Sequence, residues 1–476
     1  MTPNSARAQT VPATGAATTS APAAAGSAFE QFIQQLKKPA DDVTLGGDLR
    51  VRNEYFNNII TLAPTALHEQ DVIRYRARLW AAANVAPDCV FNARLSMESR
   101  QWMRPAFAGA VRGMKGWEWR YGILDNLNVK WSKVGGLPLT VTVGRQDLNL
   151  GDFYDWWLTT DGTPNDGSWA FYLDAARLTY EAKAIKTKFD VILIAHGSGT
   201  DAWLPTIGSS GNYPIADQDE QGVILYASNN SIKDTQIDGY FFYKNDQVQT
   251  YTIAGAKRTP GDNADIATLG SKITGLLAPR WKYSAEGAYQ FGSKADRIAG
   301  VFARRTLSAY GGKGKITYSF EDSLKNQLSF GGELLSGDKP GTKDRDEMFD
   351  LLWGRWPRWS ELYIYSYINE TGGHVAFMNN LGRYGFTWNC VPTKGMTFSV
   401  TQNFLQALQA TPTRTVAPAL FSNRSRDRGH YVQAVLKYQF NKYLSGHLWA
   451  EWVWRGGYYN NREVLTFLRP EVMFSF

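Results

Sequence analysis

The sequence predicts an all-β chain: an eighteen-stranded antiparallel transmembrane β-barrel, with short periplasmic turns at one end and long extracellular loops at the other. Three observations carry this. Alternating segments, most of them 10–15 residues long, recur from residue 43 to the last residue. The connections between them are short and long in turn. Where a segment holds several charges, these mostly share one parity and the apolar residues the other, as strands between lipid and a wet lumen require.

Composition sets the bounds. The 476 residues include 17 Trp, 24 Tyr and 24 Phe, an aromatic load that suits interfacial girdles. No run of 18 apolar residues occurs, so no membrane helix is expected. A mean hydropathy of −0.35 still fits a barrel, because alternation dilutes hydropathy. The net charge of +7 means either a mildly basic surface or an anionic partner, and the placement of the charges decides. Cys89 and Cys390 fall in or beside short turns between strands far apart in the order, so no disulfide is expected.

Taken in order, residues 1–27 read as a disordered leader, rich in Ala, Thr, Pro and Gly. Ser5-Ala6-Arg7-Ala8-Gln9 resembles a signal cleavage site, yet no apolar core precedes it, so the given start would lie inside or after a signal. Residues 28–42 read as a short periplasmic helix and linker, with Phe29, Phe32, Ile33 and Leu36 at helical spacing. Residues 43–476 are the barrel. Its strands are expected at 43–56, 71–84, 89–102, 122–133, 138–148, 171–182, 187–197, 221–229, 233–245, 266–276, 280–292, 304–320, 325–336, 374–390, 395–407, 430–440, 443–457 and 463–476. Strands of about 9–11 residues suffice to cross the hydrocarbon. Turns such as Ala86-Pro87-Asp88 and Asn441-Lys442 alternate with loops such as 103–121, 149–170 and 337–373. Soluble sandwiches have no reason to alternate so; the arrangement puts both chain ends on the short-turn side.

In strand one, Leu49, Val51 and Tyr55 oppose Arg50, Arg52 and Glu54; in strand two, Ile73, Tyr75, Ala77 and Leu79 oppose Arg74, Arg76 and Arg78. In strand three, Leu95 and Met97 oppose Arg94, Glu98 and Arg100. An Arg at the bilayer midplane would cost about 2–4 kcal/mol, so the charged parity points inward. Arg383, Glu451, Arg469 and Glu471 follow the same rule on later strands. Basic residues outnumber acidic ones on that face by about two to one, the means by which pores favour anions. Closure sets Arg469 and Glu471 beside the first strand, making one wall a dense basic sector. The plainer reading is a set of structural Arg–Glu pairs, but several arginines would then lack a carboxylate partner. Arg145, Asp174 and Arg177 break parity, which points to bulges and to lumen or rim positions.

At these residues the chain resembles the alginate-export family of outer-membrane proteins. The resemblance rests on Gly144-Arg145-Gln146, on Gly151-Asp152 through Trp156-Trp157, and on Asp174 with Arg177-Leu178-Thr179-Tyr180. Gly46, Asp48, Leu49, Arg50 and Arg52, together with Ile73-Arg74-Tyr75-Arg76-Ala77-Arg78, are similar to the family's opening strands. It covers residues 43–476 and implies a monomeric barrel passing an anionic polysaccharide outward through an arginine-rich constriction. By position the counterparts are Arg50, Arg52, Arg74, Arg76, Arg94, Arg145, Asp174, Arg177, Arg469 and Glu471; Glu54, Glu98 and Arg383 join them on parity. The tiny turns here offer no equivalent of a long periplasmic plugging loop.

The function expected is therefore passive export of a uronate-type, alginate-like polymer; the alternative is an anion-preferring general porin for small solutes. Outer-membrane lipid and a periplasmic export scaffold are the other expected partners, nucleic acid is not, and the chain is expected to be a monomer. An enzyme is not expected: Asp217, Asp219, Glu220, Asp344, Asp346 and Glu347 look like solvated loop acids, and His196-Gly197-Ser198-Gly199 lacks the strand–elbow–helix setting of a nucleophile. No cofactor is expected, although an acidic loop could take Ca²⁺. Loop 337–373, with Trp353, Trp356 and Trp359, reads first as an ordinary outer loop and second as one that folds inward or stacks sugars.

Overall fold

The computed structural model describes residues 27–58, 62, 67–106, 113–148, 150, 172–198, 206–208, 218–253, 256–258, 261–295, 304–353, 359–363, 370, 379–412, 415 and 417–476. The leader and the loop Gly151 to Trp157 lie outside these residues. The chain forms helix α1 (Ala28–Lys37) and then eighteen barrel strands. These are β1 (Val43–Asn57), β2 (Glu69–Ala86), β3 (Cys89–Trp102), β4 (Gly116–Trp131), β5 (Leu139–Gln146), β6 (Leu173–Ala182), β7 (Thr187–His196), β8 (Asp219–Asn229) and β9 (Thr235–Gln247). They continue as β10 (Asn263–Ala278), β11 (Trp281–Ala295), β12 (Arg305–Ser319), β13 (Gln327–Leu335), β14 (Leu381–Cys390), β15 (Met396–Gln406), β16 (Asp427–Gln439), β17 (Leu444–Arg455) and β18 (Leu465–Ser475). Each pairs antiparallel with its sequence neighbours, and β18 pairs with β1, with Arg52 opposite Glu471, so the sheet closes.

The strand count matches the sequence reading; two boundaries move by more than three residues. β4 begins at Gly116 rather than at residue 122. The stretch Trp117-Glu118-Trp119-Arg120 reads as loop because it carries charge, yet Glu118 is buried and accepts from the Trp102 indole at 2.7 Å. β14 begins at Leu381 rather than at 374, directly after Asn380, whose φ of 51° breaks the extended chain.

Side-chain parity is as the alternation demands. Leu49 and Val51 are 52% and 39% exposed on the outer wall, whereas Arg50 and Arg52 are each 1% exposed inside. The outward band continues through Leu79, Leu193, Leu269, Phe386, Leu448 and Val472. This placement has a measurable consequence. Leu269→Arg should destabilise the barrel by about 2–4 kcal/mol in urea titrations from vesicles, and an unchanged midpoint would contradict the outward assignment. Cys89 and Cys390 are both free thiols.

The lumen differs between its two halves. Toward the long loops, one apolar cluster joins Phe56, Ile192, Ile224, Phe242, Ile266, Leu307, Leu405, Tyr431, Val453 and Phe467 on inner walls around the barrel. Phe349, Leu351, Leu352, Trp353, Leu362 and Tyr363 of the segment after β13 fill the space between them. The ordinary-outer-loop expectation for 337–373 is thus corrected for residues 346–353 and 359–363, which fold inward, whereas 339–341 and 343–345 are exposed. The driving force is plain, since six large apolar side chains leave water together. Trp356 lies outside the described residues.

Candidate functional site

Below that apolar half, β18, β1, β2 and β3 present a ladder of charges. Arg469 reaches Glu54 at 3.8 Å, and Arg52 contacts Glu54 at 2.8 Å and Glu471 at 3.5 Å. Arg50 lies 3.6 Å from Glu471. Arg74 donates to Glu54 at 3.2 Å and also to Glu98, which Arg100 contacts at 3.1 Å. At the short-turn end Asp48 accepts from Arg76 at 3.4 Å and from the Arg78 Nε at 2.7 Å. The period-two spacing on each strand and the register between strands bring these groups level: Arg50 faces Arg76, and Arg52 faces Arg74.

The expected shortage of partners does not occur. Every arginine of this ladder has a carboxylate within 4 Å, because Asp48 and a loop acid, Glu361, join the wall acids. Seven guanidinium groups (Arg50, Arg52, Arg74, Arg76, Arg78, Arg100 and Arg469) share five carboxylates (Asp48, Glu54, Glu98, Glu361 and Glu471), an excess of two positive charges within the network. Buried pairs left without partners would be costly, so the ladder holds the wall together and also biases its potential.

Arg94, on β3, belongs to a neighbouring cluster, donating to Asp125 at 2.6 Å and to both oxygens of Asp147 at 2.8 and 2.9 Å. Arg145 pairs with Asp174 at 3.0 Å, donates to the Leu124 carbonyl at 2.9 Å and stacks 3.8 Å from the Tyr172 ring. Parity alone sends Arg145 to lipid. Gly144 turns it inward: its φ is +119°, and a Cβ there would meet the Leu127 carbonyl at 2.4 Å. The agent is therefore a left-handed glycine, since the β5–β6 register runs without a shift through Gly144 and Arg145. Arg177 pairs with Asp190 at 2.8 Å and Arg383 with Glu333 at 2.8 Å. These groups line the lumen wall apart from the ladder.

The inward segment rests on the ladder. Glu361 accepts from Arg469 at 2.8 Å, and Trp359 stacks 4.9 Å from Arg383 on the far side. Between them, buried Glu451 of β17 accepts from the Ser360 hydroxyl at 2.8 Å and from the Glu361 and Leu362 N–H groups at 3.0 Å each. Asp350 accepts from Lys294 at 2.6 Å, and Glu370 accepts twice from Arg428 at 2.6 Å. Alternation on strands could not reveal these loop partners: Glu451 and Lys294 stand at inward parity, but Arg428 has the parity of exposed His430 and is turned inward at Gly429, whose φ is +107° beside a register shift.

Several acids expected to be solvated are not. Glu220 is fully buried and 3.1 Å from Lys244. Asp346 is fully buried and accepts from Arg305 at 3.1 Å, while buried Glu347 accepts from Thr342 at 2.8 Å. Asp219 accepts from Ser198, and Asp344 is exposed. Asp217 lies outside the described residues. Among the described residues no three His, Cys, Asp or Glu side chains are grouped to hold a metal ion.

The base of the segment is sensitive to pH. Burial, and then the neighbouring Asp346 carboxylate, push the Asp338 carboxyl up to about 6. Because that lies above the ordinary value of about 4, the folded segment is most stable when Asp338 is protonated and loses stability as pH rises from about 4 to 6. Amide exchange at residues 338–347 should accordingly be slower at pH 5 than at pH 7.5, after correction for intrinsic rates. Asp338→Asn should abolish the difference.

At the short-turn end a cavity of about 300 Å³ runs up to Arg50, Arg76 and Glu471, with Lys437, His447 and Trp449 on its wall. A second, of about 110 Å³, is lined by Lys313, Lys315 and Arg383. The arrangement offers fixed positive charge and aromatic faces to an anion entering from the short-turn side.

In fold the chain is similar to OccK5 (OpdH) of Pseudomonas aeruginosa, at 10% identity and a TM-score of 0.51, covering 91% of this chain and 98% of that one. It is similar too to a BenF-like porin from Pseudomonas fluorescens Pf-5, at 10% identity and a TM-score of 0.53, covering 92% and 99%. Acinetobacter baumannii OccAB3 gives 10% identity, a TM-score of 0.52 and coverage of 91% and 99%. Identities this low speak for the barrel alone. No curated protein matches the sequence. The profile of the alginate export family, in contrast, matches residues 41–466. The chain therefore belongs to the alginate export family, built on a porin-like outer-membrane barrel.

Proposed function

We propose that this protein is a bacterial outer-membrane channel that passes an anionic, uronate-type polysaccharide from the periplasm outward. The observation that carries the reading is the ladder itself: a net positive wall in a lumen entered from the short-turn end, the end that outer-membrane barrels keep on the periplasmic side. Successive carboxylates of a polymer could exchange between Arg76, Arg50 and Arg52 without any one site holding them. Weak multiple binding permits exit as well as entry. The inward segment must yield for a chain to pass, and Glu361 occupies on Arg469 the place a substrate carboxylate would take.

A second reading has its own support. Cavities of about 300 and 110 Å³ suit a small anion better than a chain while the segment stays in place. Planar-bilayer conductance separates the two. For the export reading, alginate added on the short-turn side should block small-anion current in discrete events, whereas a neutral glucan should not. Current that uronate polymers fail to block would favour the small-solute porin.

A further inference from the structure

We propose that α1 is an interfacial anchor: it lies along the outer rim of the short-turn end with one face in the acyl–headgroup boundary of the adjoining phospholipid leaflet. The inference rests on the lipid-facing wall, and is independent of what the lumen carries. α1 is capped by Ser27, whose hydroxyl accepts from the Glu30 N–H at 3.3 Å. Its contacts are with the outside of the barrel. The Phe29 ring lies 5.5 Å from Tyr443, in the β16–β17 turn, and 6.5 Å from Phe474 of β18. Phe474 has the outward parity of Leu468 and Val472, and stacks 6.3 Å from Phe476. Phe29 thus extends an aromatic girdle that already borders lipid. Glu30 pairs with Lys442 at 2.6 Å and fixes the helix against that turn.

A helix advances about 100° per residue, which sorts the rest of α1 into three sectors. Ile33, 3% exposed, faces the barrel together with Glu30. Phe29, Phe32 and Leu36 form the adjoining stripe, and Phe29 and Phe32 are 49% and 58% exposed. Gln31, Gln34, Gln35 and Lys38 take the remaining arc and are exposed. Two exposed phenylalanines beside a lipid-facing girdle favour contact with lipid, which would remove them from water. Lys38, at the helix C-cap, and Lys442, in the adjoining turn, add positive charge at the same end of the barrel. An apolar stripe opposite a polar arc, with basic residues close by, is the pattern of helices that lie in an interface.

Site-directed spin labelling tests this on the full chain in phosphatidylethanolamine–phosphatidylglycerol vesicles. Phe32→Cys and Gln34→Cys are made in a Cys89→Ser, Cys390→Ser background, with folding confirmed by heat-modifiable gel mobility. A nitroxide at 32 should be relaxed several-fold more by oxygen than by a water-soluble nickel chelate, and one at 34 should show the reverse. Equal nickel access at both positions would put the helix in water and overturn the proposal. Protection of position 32 from both relaxants would overturn it too, because protein, whether a second copy or a periplasmic partner, would then cover the face. Leu36→Cys carries the same expectation as Phe32→Cys and stands in for it if that variant folds poorly.

Discussion

On the proposed function, Arg76→Glu combined with Lys437→Glu is expected to turn a preference for anions into one for cations. Both residues line the larger cavity at the short-turn end, where Arg50, Arg76 and Lys437 face Glu471. The two reversals remove four units of positive charge from that wall. At about 8 Å in water a unit charge is worth about 0.5 kcal/mol, so four are worth about 2 kcal/mol, roughly a thirty-fold change for each ion, against the anion and in favour of the cation, before screening. The change should shrink as ionic strength rises and the screening length falls below the pore radius. Reversal potentials across a tenfold KCl gradient measure it directly. An unchanged reversal potential would remove the ladder from the conduction path.

The choice of Arg76 follows from its partners. Arg76 holds Asp48 alone among the carboxylates, at 3.4 Å, and Asp48 keeps Arg78 when it is lost. Arg74 stands between Glu54 and Glu98, and its reversal would leave three buried carboxylates in contact. Such a variant reports folding and says little about selectivity. Sequence alternation ranks these two arginines equally, because parity tells which way a side chain points and nothing about what meets it there.

That distinction runs through the whole molecule. Strand number, closure and the inward ladder were legible because membrane, lumen and pleat impose one simple period on every strand. The Arg145–Asp174 pair was legible only as an anomaly: its cause is the backbone sign of φ at Gly144, which no period encodes. The partners Asp48 and Asp190 sat at inward parity and could have been counted. Glu361 and Glu370 could not, since nothing local in a long loop says where its acids land. The burial of Trp353 and Tyr363 was hidden for the same reason, although six large apolar residues in so short a stretch of loop are a signal that it is covered.

Glu451→Ala should free the tip of the inward segment and open the lumen. Three of the hydrogen bonds that Glu451 accepts come from residues 360–362, two of them from backbone N–H groups. Hydrogen bonds to a charged acceptor are worth about 1.5–3 kcal/mol each, so roughly 4–9 kcal/mol of tethering is lost at one position. The Arg469–Glu361 contact and the packing of Leu362 and Tyr363 in the apolar cluster remain, but neither ties the backbone of residues 360–362 to the wall. Single-channel records should then show larger, flickering openings as residues 359–363 move off Arg383 and Arg469. Replacing residues 354–378 by a short Gly-Ser linker should give steady openings of the same size, because it removes the tip while leaving Asp350 on Lys294 and Phe349 and Trp353 in the cluster. Conductance at the unmodified level in both variants would mean that the segment is no obstacle, and that ions and polymer take a route along the wall of Lys313, Lys315 and Thr401 instead.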